Sequence, residues 1–136
     1  MRSASIFVAI LFVQLITSSC KKSVENHNIT GEWKLIEHYN GYTNGGNFRW
    51  NTILPEHSHI LSFTEDGEYR KTTNSNVNQP ACNGTYLLQS GNVLQINSDC
   101  NARSENLIVT TLTVKTLIID QPVMEGVIRY KYSAIK

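Results

Sequence analysis

From Gly31 onward the chain alternates apolar and polar residues in short runs, and Gly, Asn, Asp and Pro separate the runs. A period of two marks a strand with one buried face, because successive side chains point to opposite sides of a sheet. No stretch holds the apolar spacing of a helix through several turns. The runs predict strands at Gly31–Asn40, His57–Thr64, Glu68–Asn74, Gly84–Gln89, Asn92–Asn97, Arg103–Thr113, Lys115–Asp120 and Val127–Ala134. Glu65-Asp66-Gly67 and Ser90-Gly91-Asn92 are hairpin signals between such runs, so sequence neighbours should pair antiparallel. Short strands at this density suit a sandwich or a barrel. An up-and-down order gains most by closing, since closure removes both sheet edges. The fold predicted is therefore all-β, an eight-stranded, mostly up-and-down antiparallel barrel. Alternation turns Trp33, Leu35, Leu61, Phe63, Leu94, Ile96, Ile128, Tyr130 and Tyr132 inward. Leu117-Ile118-Ile119 breaks the alternation, which predicts burial on both faces or a covering segment.

One connection is long. Gly41–Glu56 is rich in glycine yet carries Tyr42, Phe48, Trp50 and Leu54. A fully solvated loop has no need of three aromatics. Two readings stand: a plug folded over one open end of the barrel, or a lid whose Tyr42, Phe48 and Trp50 meet a ligand.

The start of the chain is of another kind. Arg2 precedes the apolar run Ile6–Ile16, which is long enough for a signal-peptide core and too short to span a bilayer of about 20 residues. Thr17-Ser18-Ser19 then leads to Cys20. This arrangement resembles the lipobox of bacterial lipoproteins, and the ending Ser-Ser-Cys-Lys-Lys resembles those of the Bacteroidetes. The resemblance implies cleavage before Cys20, fatty acylation of its thiol and amine with palmitate-type chains, and a lipid-anchored envelope protein. The expected organisation is a signal peptide at 1–19, a lipidated terminus and tether at 20–29 and one barrel domain at 30–136. Removing the signal leaves 117 residues, enough for one core and not for two.

Arg2 is the only charge lost with the signal, so the mature chain balances 11 basic against 11 acidic side chains. That balance gives no electrostatic reason to expect nucleic acid as a partner. With Cys20 spent on lipid, Cys82 and Cys100 remain, and an even pair in an exported protein is most simply a disulfide.

Gly31-x-Trp33 at the start of the first strand resembles the lipocalin signature. The order GEW-L, LSFTEDGEY, C-G-Y, TLIID, EGVIRYKY resembles lipocalin-like lipoproteins over nearly the whole mature domain. The resemblance implies that Trp33 closes the barrel floor, that Arg129 packs across it and that the barrel holds a small apolar or amphipathic ligand. Positions flanking Glu125-Gly126, where such proteins often carry a further cysteine pair, are Met124 and Val127, which leaves Cys82–Cys100 as the one bridge. Cys82-Asn83-Gly84-Thr85-Tyr86 also resembles META-type lipoprotein domains, with the same implication of a small extracytoplasmic β-domain.

Catalytic patterns are missing: the sequence has no Gly-x-Ser-x-Gly, no His-Glu-x-x-His and no phosphate-cradling glycine loop. Glu65, Asp66 and Glu68 cluster at a hairpin tip, where water solvates them. His57 and His59 share a strand face and His38 approaches from the first strand, but no further ligand completes a metal site. These histidines are expected to face solvent. The sequence thus predicts no enzyme, no metal and no cofactor. It leaves two functional classes: a small-molecule binder, or an envelope protein-interaction module with a filled barrel.

Overall fold

A computed structural model describes residues 28–73 and 80–135. The signal segment, Cys20 and most of the tether lie outside the described residues. No helix among the described residues is long and apolar enough to cross a membrane.

Nine strands form one antiparallel sheet: β1 (Gly31–Tyr42), β2 (Trp50–Thr52), β3 (His59–Phe63), β4 (Glu68–Thr73), β5 (Cys82–Leu88), β6 (Val93–Ser98), β7 (Glu105–Leu112), β8 (Thr116–Val123) and β9 (Gly126–Ala134). Each of β3 to β9 pairs with its sequence neighbour, and β9 pairs back onto β1 along nearly its whole length. Eight strands therefore close an up-and-down barrel, as the alternation predicts, and the form is lipocalin-like, as the resemblance implies. Short turns do the joining. Gly67 and Gly91 adopt positive φ in the two hairpins read from the sequence, the conformation for which glycine is suited.

The ninth strand is β2, and it was not legible as a strand. It lies inside the long connection and pairs with Glu37–Tyr39 of β1, on the same edge that pairs with β3 at Gly31–Lys34. β2 thus continues the line of β3 along that edge. At the junction the Leu35 carbonyl accepts a hydrogen bond from the buried Ser58 hydroxyl at 2.7 Å. A single 3-10 turn at Pro55–His57 brings the chain back to β3.

The core follows the predicted inward face. Trp33, Leu35, Leu61, Phe63, Leu94, Ile96 and Tyr132 are buried, and Tyr130 packs against them. In Leu117-Ile118-Ile119 the outer two are fully buried and Ile118 is half-buried on the opposite face. A bulge between Leu35 and Glu37 shifts the phase of β1 by one residue. Beyond it His38, Asn40 and Tyr42 share the inner face with their partners Tyr130, Ile128 and Gly126.

The two ends differ. At the end where β1 begins, Trp33 and Phe63 close the floor, and Ile29 is packed beneath them at 2% exposure. Ile29 falls in the predicted tether, but the packed chain already includes it. The Trp33 indole N–H donates to the Ile29 carbonyl at 2.8 Å, which pins the entering chain to the floor. The opposite end is open.

Candidate functional site: an open polar cavity in the barrel

The open end leads into a cavity of about 420 Å³ between the strands. Its lower wall is apolar, from Leu35, Leu61, Ile96, Leu107 and Ile119. Its other lining residues are His59, Tyr69, Lys71, Glu105, Gln121, Tyr130 and Tyr132. Every strand that contributes does so through its inward alternation, so this polar set is built from positions that in a filled barrel would be apolar.

His59 heads β3 and turns into the barrel, contrary to the expectation that it faces solvent. Its Nε2 lies 3.1 Å from the Tyr132 hydroxyl, and the two rings meet edge to face. Burial, with the Lys71 ammonium nearby, drives its pKa from 6.5 down to about 4. The ring is therefore neutral at physiological pH and is hydrogen-bonded to the tyrosine. His57 stays exposed in the 3-10 turn. Two histidines predicted on one face are thus separated by the turn, because the strand begins only at His59. His38 lies on the inner face with its Nδ1 buried and unpaired among the described residues.

The three tyrosines are all held in the phenol form. Burial, then the Glu105 carboxylate, raises Tyr69 to about 12. Burial dominates at Tyr130 and Tyr132 as well, with neighbouring tyrosines and Glu105 adding to it. A phenol can both donate and accept, so this wall offers hydrogen bonds of either polarity. The Tyr130 hydroxyl already donates to Gln121 Oε1 at 3.2 Å.

Among the residues singled out in the long connection, only Tyr42 points inward, at the rim near Tyr130. Phe48 is 55% exposed. Trp50 stands on the outside of the barrel, where its ring tilts against Tyr39 at 5.6 Å and the Lys131 ammonium lies 5.7 Å above it. None of the three lines the cavity. The bulge in β1 is the cause: it turns Tyr39 outward, and β2 pairs against it there. Arg129 is likewise outward. It bonds Asp120 at 3.0 Å and covers Tyr39 rather than Trp33. Gly31 has a positive φ at the entry to β1 and an open position beside it.

Cys82 and Cys100 are joined in a disulfide, with Cα atoms 5.5 Å apart. The bond ties the start of β5 to the turn after β6 at the rim of the open end. Asp99 lies against the same two sulfurs, but as a bonded pair they offer no thiolate to a metal. Just below, a Cβ on Gly84 would run into the Asn97 carbonyl, so β5 and β6 approach there only because that residue is glycine.

The sequence missed Lys71, Glu105 and Gln121 as site residues. Each sits in a strand whose alternation assigns it to the inner face, and that was the one signal available. Charged residues at inward positions of a predicted barrel mark a wet interior.

The neutral His59 ring makes stability depend on pH. Above about pH 6.5 the ring is uncharged in both folded and unfolded chains, and its contribution is fully present. As pH falls toward 4, the unfolded chain binds a proton that the folded barrel refuses, so stability is lost. Water in the open mouth reduces the full linkage, leaving about 2 kcal/mol. Tyr132 from β9 contacts the ring, Lys71 from β4 and Glu105 from β7 line the same cavity, and Lys71 adds to the loss. Urea midpoints should fall across this window, and His59→Asn should remove that part of the fall. Parallel curves for the two proteins would show that another group titrates.

A scan against protein-family models and a search of curated proteins found no match to this chain.

Proposed function

We propose that this protein is a lipocalin-like bacterial envelope lipoprotein that holds a small amphipathic molecule inside its barrel. The cavity carries the reading. A space of about 420 Å³ falls within the range of ligand sites, which is roughly 300–1,000 Å³. A barrel serving only as a scaffold for a protein partner would fill this volume with its own side chains. The apolar lower wall suits a hydrocarbon portion, and the hydroxyl, amide and charged groups above suit a polar head.

Anchoring through Cys20 gives the barrel a polarity. The chain enters at the closed floor, where Ile29 and Trp33 are fixed. Cys20 precedes Ile29 by nine residues, a reach of about 30 Å when extended. The floor is thus the end tied to the membrane, and the cavity opens at the far end.

Two measurements test this. Native mass spectrometry of the protein purified from its own envelope should show an adduct that leaves on denaturation; a bare mass in repeated preparations counts against the binder. Membrane fractionation tests the anchor separately. The native protein should sediment with membranes and Cys20→Ser should move to the soluble fraction, because one thiol carries the first acyl chains. Equal retention of both proteins removes the lipoprotein reading.

The exposed apolar residues Phe48 and Leu54 beside the short edge strand β2 favour a second reading, a protein partner on the outer face. Phe48→Ser with Leu54→Ser should abolish such a contact and leave a cavity ligand in place.

A further inference from the structure

Lys71 and Glu105 carry the two full charges on the cavity wall, since the His59 ring is neutral. Lys71 comes from β4 and Glu105 from β7. Three steps around a circle of eight strands separate them, so they stand on nearly opposite walls. They form no ion pair with each other, and neither side chain has a salt-bridge or hydrogen-bond partner among the described residues. Both are half-buried. On the outer face two pairs of partly buried charges do meet: Arg129 with Asp120, and Lys131 with Glu37 at 2.6 Å.

Two unlike charges facing one space without meeting are solvated by the water in that space. A ligand that displaces the water has to replace what it did for both groups. A purely apolar occupant would strand an ammonium and a carboxylate together, a heavier cost than its hydrophobic gain offsets. An anion would satisfy one wall and a cation the other.

We propose that the cavity takes a small zwitterion, with its anionic group on Lys71, its cationic group on Glu105 and a short apolar spacer over Leu61, Leu107 and Ile119. ω-Amino acids and small peptides are the chemical class. This rests on the reading of the barrel as a small-molecule binder and narrows it. The placement of the mouth agrees, because an opening at the end away from the tether draws on the aqueous phase rather than on the bilayer. The tyrosine hydroxyls add donors and acceptors around either head group without adding charge.

Isothermal titration of the purified protein with four probes of one chain length tests the inference: ω-aminooctanoate, octanoate, octylamine and octanol. The zwitterion should bind about tenfold more tightly than either singly charged probe, and octanol should be weakest. Lys71→Met should erase its advantage over octylamine, and Glu105→Gln its advantage over octanoate. Each variant keeps the other charge, so a misfolded protein is recognised by the loss of both preferences and of the native circular dichroism spectrum. Octanol binding as tightly as ω-aminooctanoate overturns the zwitterion. So does an absence of heat with all four probes. If native mass spectrometry still shows an adduct in those cases, the barrel remains a binder of other chemistry; a bare mass removes both readings.

Discussion

Trp33→Ala should destabilise the barrel by about 4 kcal/mol, the largest effect expected of any single change here. The indole is 3% exposed and closes the floor beside Phe63. Truncation removes its transfer energy and leaves a cavity that the rigid sheet on either side cannot collapse into. It also leaves the Ile29 carbonyl, held at 2.8 Å by the indole N–H, without its donor. Trp33→Phe keeps a six-membered aromatic ring on the floor but loses the N–H donor and the packing of the five-membered ring, so a smaller cost of about 1–2 kcal/mol is expected. Urea unfolding followed by circular dichroism reads both. A loss below about 1 kcal/mol for the alanine variant would mean that the floor is closed by other residues and that the indole is incidental. Released from the floor, Ile29 should also become accessible to proteolysis on its N-terminal side, which a limited digestion would show.

Much of this architecture was legible. The eight strands of the barrel, their antiparallel order and its closure follow from alternation and from turns at Gly67 and Gly91, because both are local properties of the chain. The inward face of β3, β6 and β9 follows as well. What stayed hidden depends on irregularity. The β1 bulge at Leu35–Glu37 has no strong sequence mark, yet it decides which of His38 and Tyr39 faces the interior. A strict alternation from Trp33 would have carried Tyr39 inward. Its outward turn creates the platform for Trp50 and Arg129, so Trp50 of the long connection lies outside the barrel rather than over its mouth. β2 was hidden for a related reason: three residues pair with whatever edge is vacant, and the vacancy exists only because β3 leaves β1 at Lys34.

The candidate site was the least legible part. The aromatics of the long connection, Tyr42, Phe48 and Trp50, stand out in the sequence, whereas the cavity is lined by Lys71, Glu105, Gln121 and three tyrosines of the strands. A lysine or glutamate in a strand reads by default as solvated. Only the closure of the sheet makes an inward-facing charge unusual, and closure is a property of the whole chain. Arg129 shows the converse. Its position in the last strand resembles a floor-packing arginine, but register with Tyr39 and Asp120 sends it to the outer face.

Loss of the Cys82–Cys100 bridge should cost about 3 kcal/mol, and the cost should arise almost entirely in the unfolded chain. The bridge joins residues 18 apart in sequence. In the folded barrel the same strands remain held beside it: Asp99 N–H donates to the Asn83 carbonyl at 2.9 Å, and Asn83 N–H donates to the Asp99 carboxylate at 2.8 Å. β5 and β6 also pair from Gly84 to Leu88 without it. Cys82→Ala with Cys100→Ala should therefore keep the native circular dichroism spectrum and the cavity. The urea midpoint should fall. The dependence of stability on urea should steepen, because an unbridged unfolded chain exposes more surface. Thiol counting gives an independent check: denatured, unreduced protein should yield no alkylatable thiol at either position. A midpoint unchanged by the double substitution would place the bridge outside the stability of the fold, and a lowered midpoint accompanied by a weakened spectrum would place its effect in the native barrel instead.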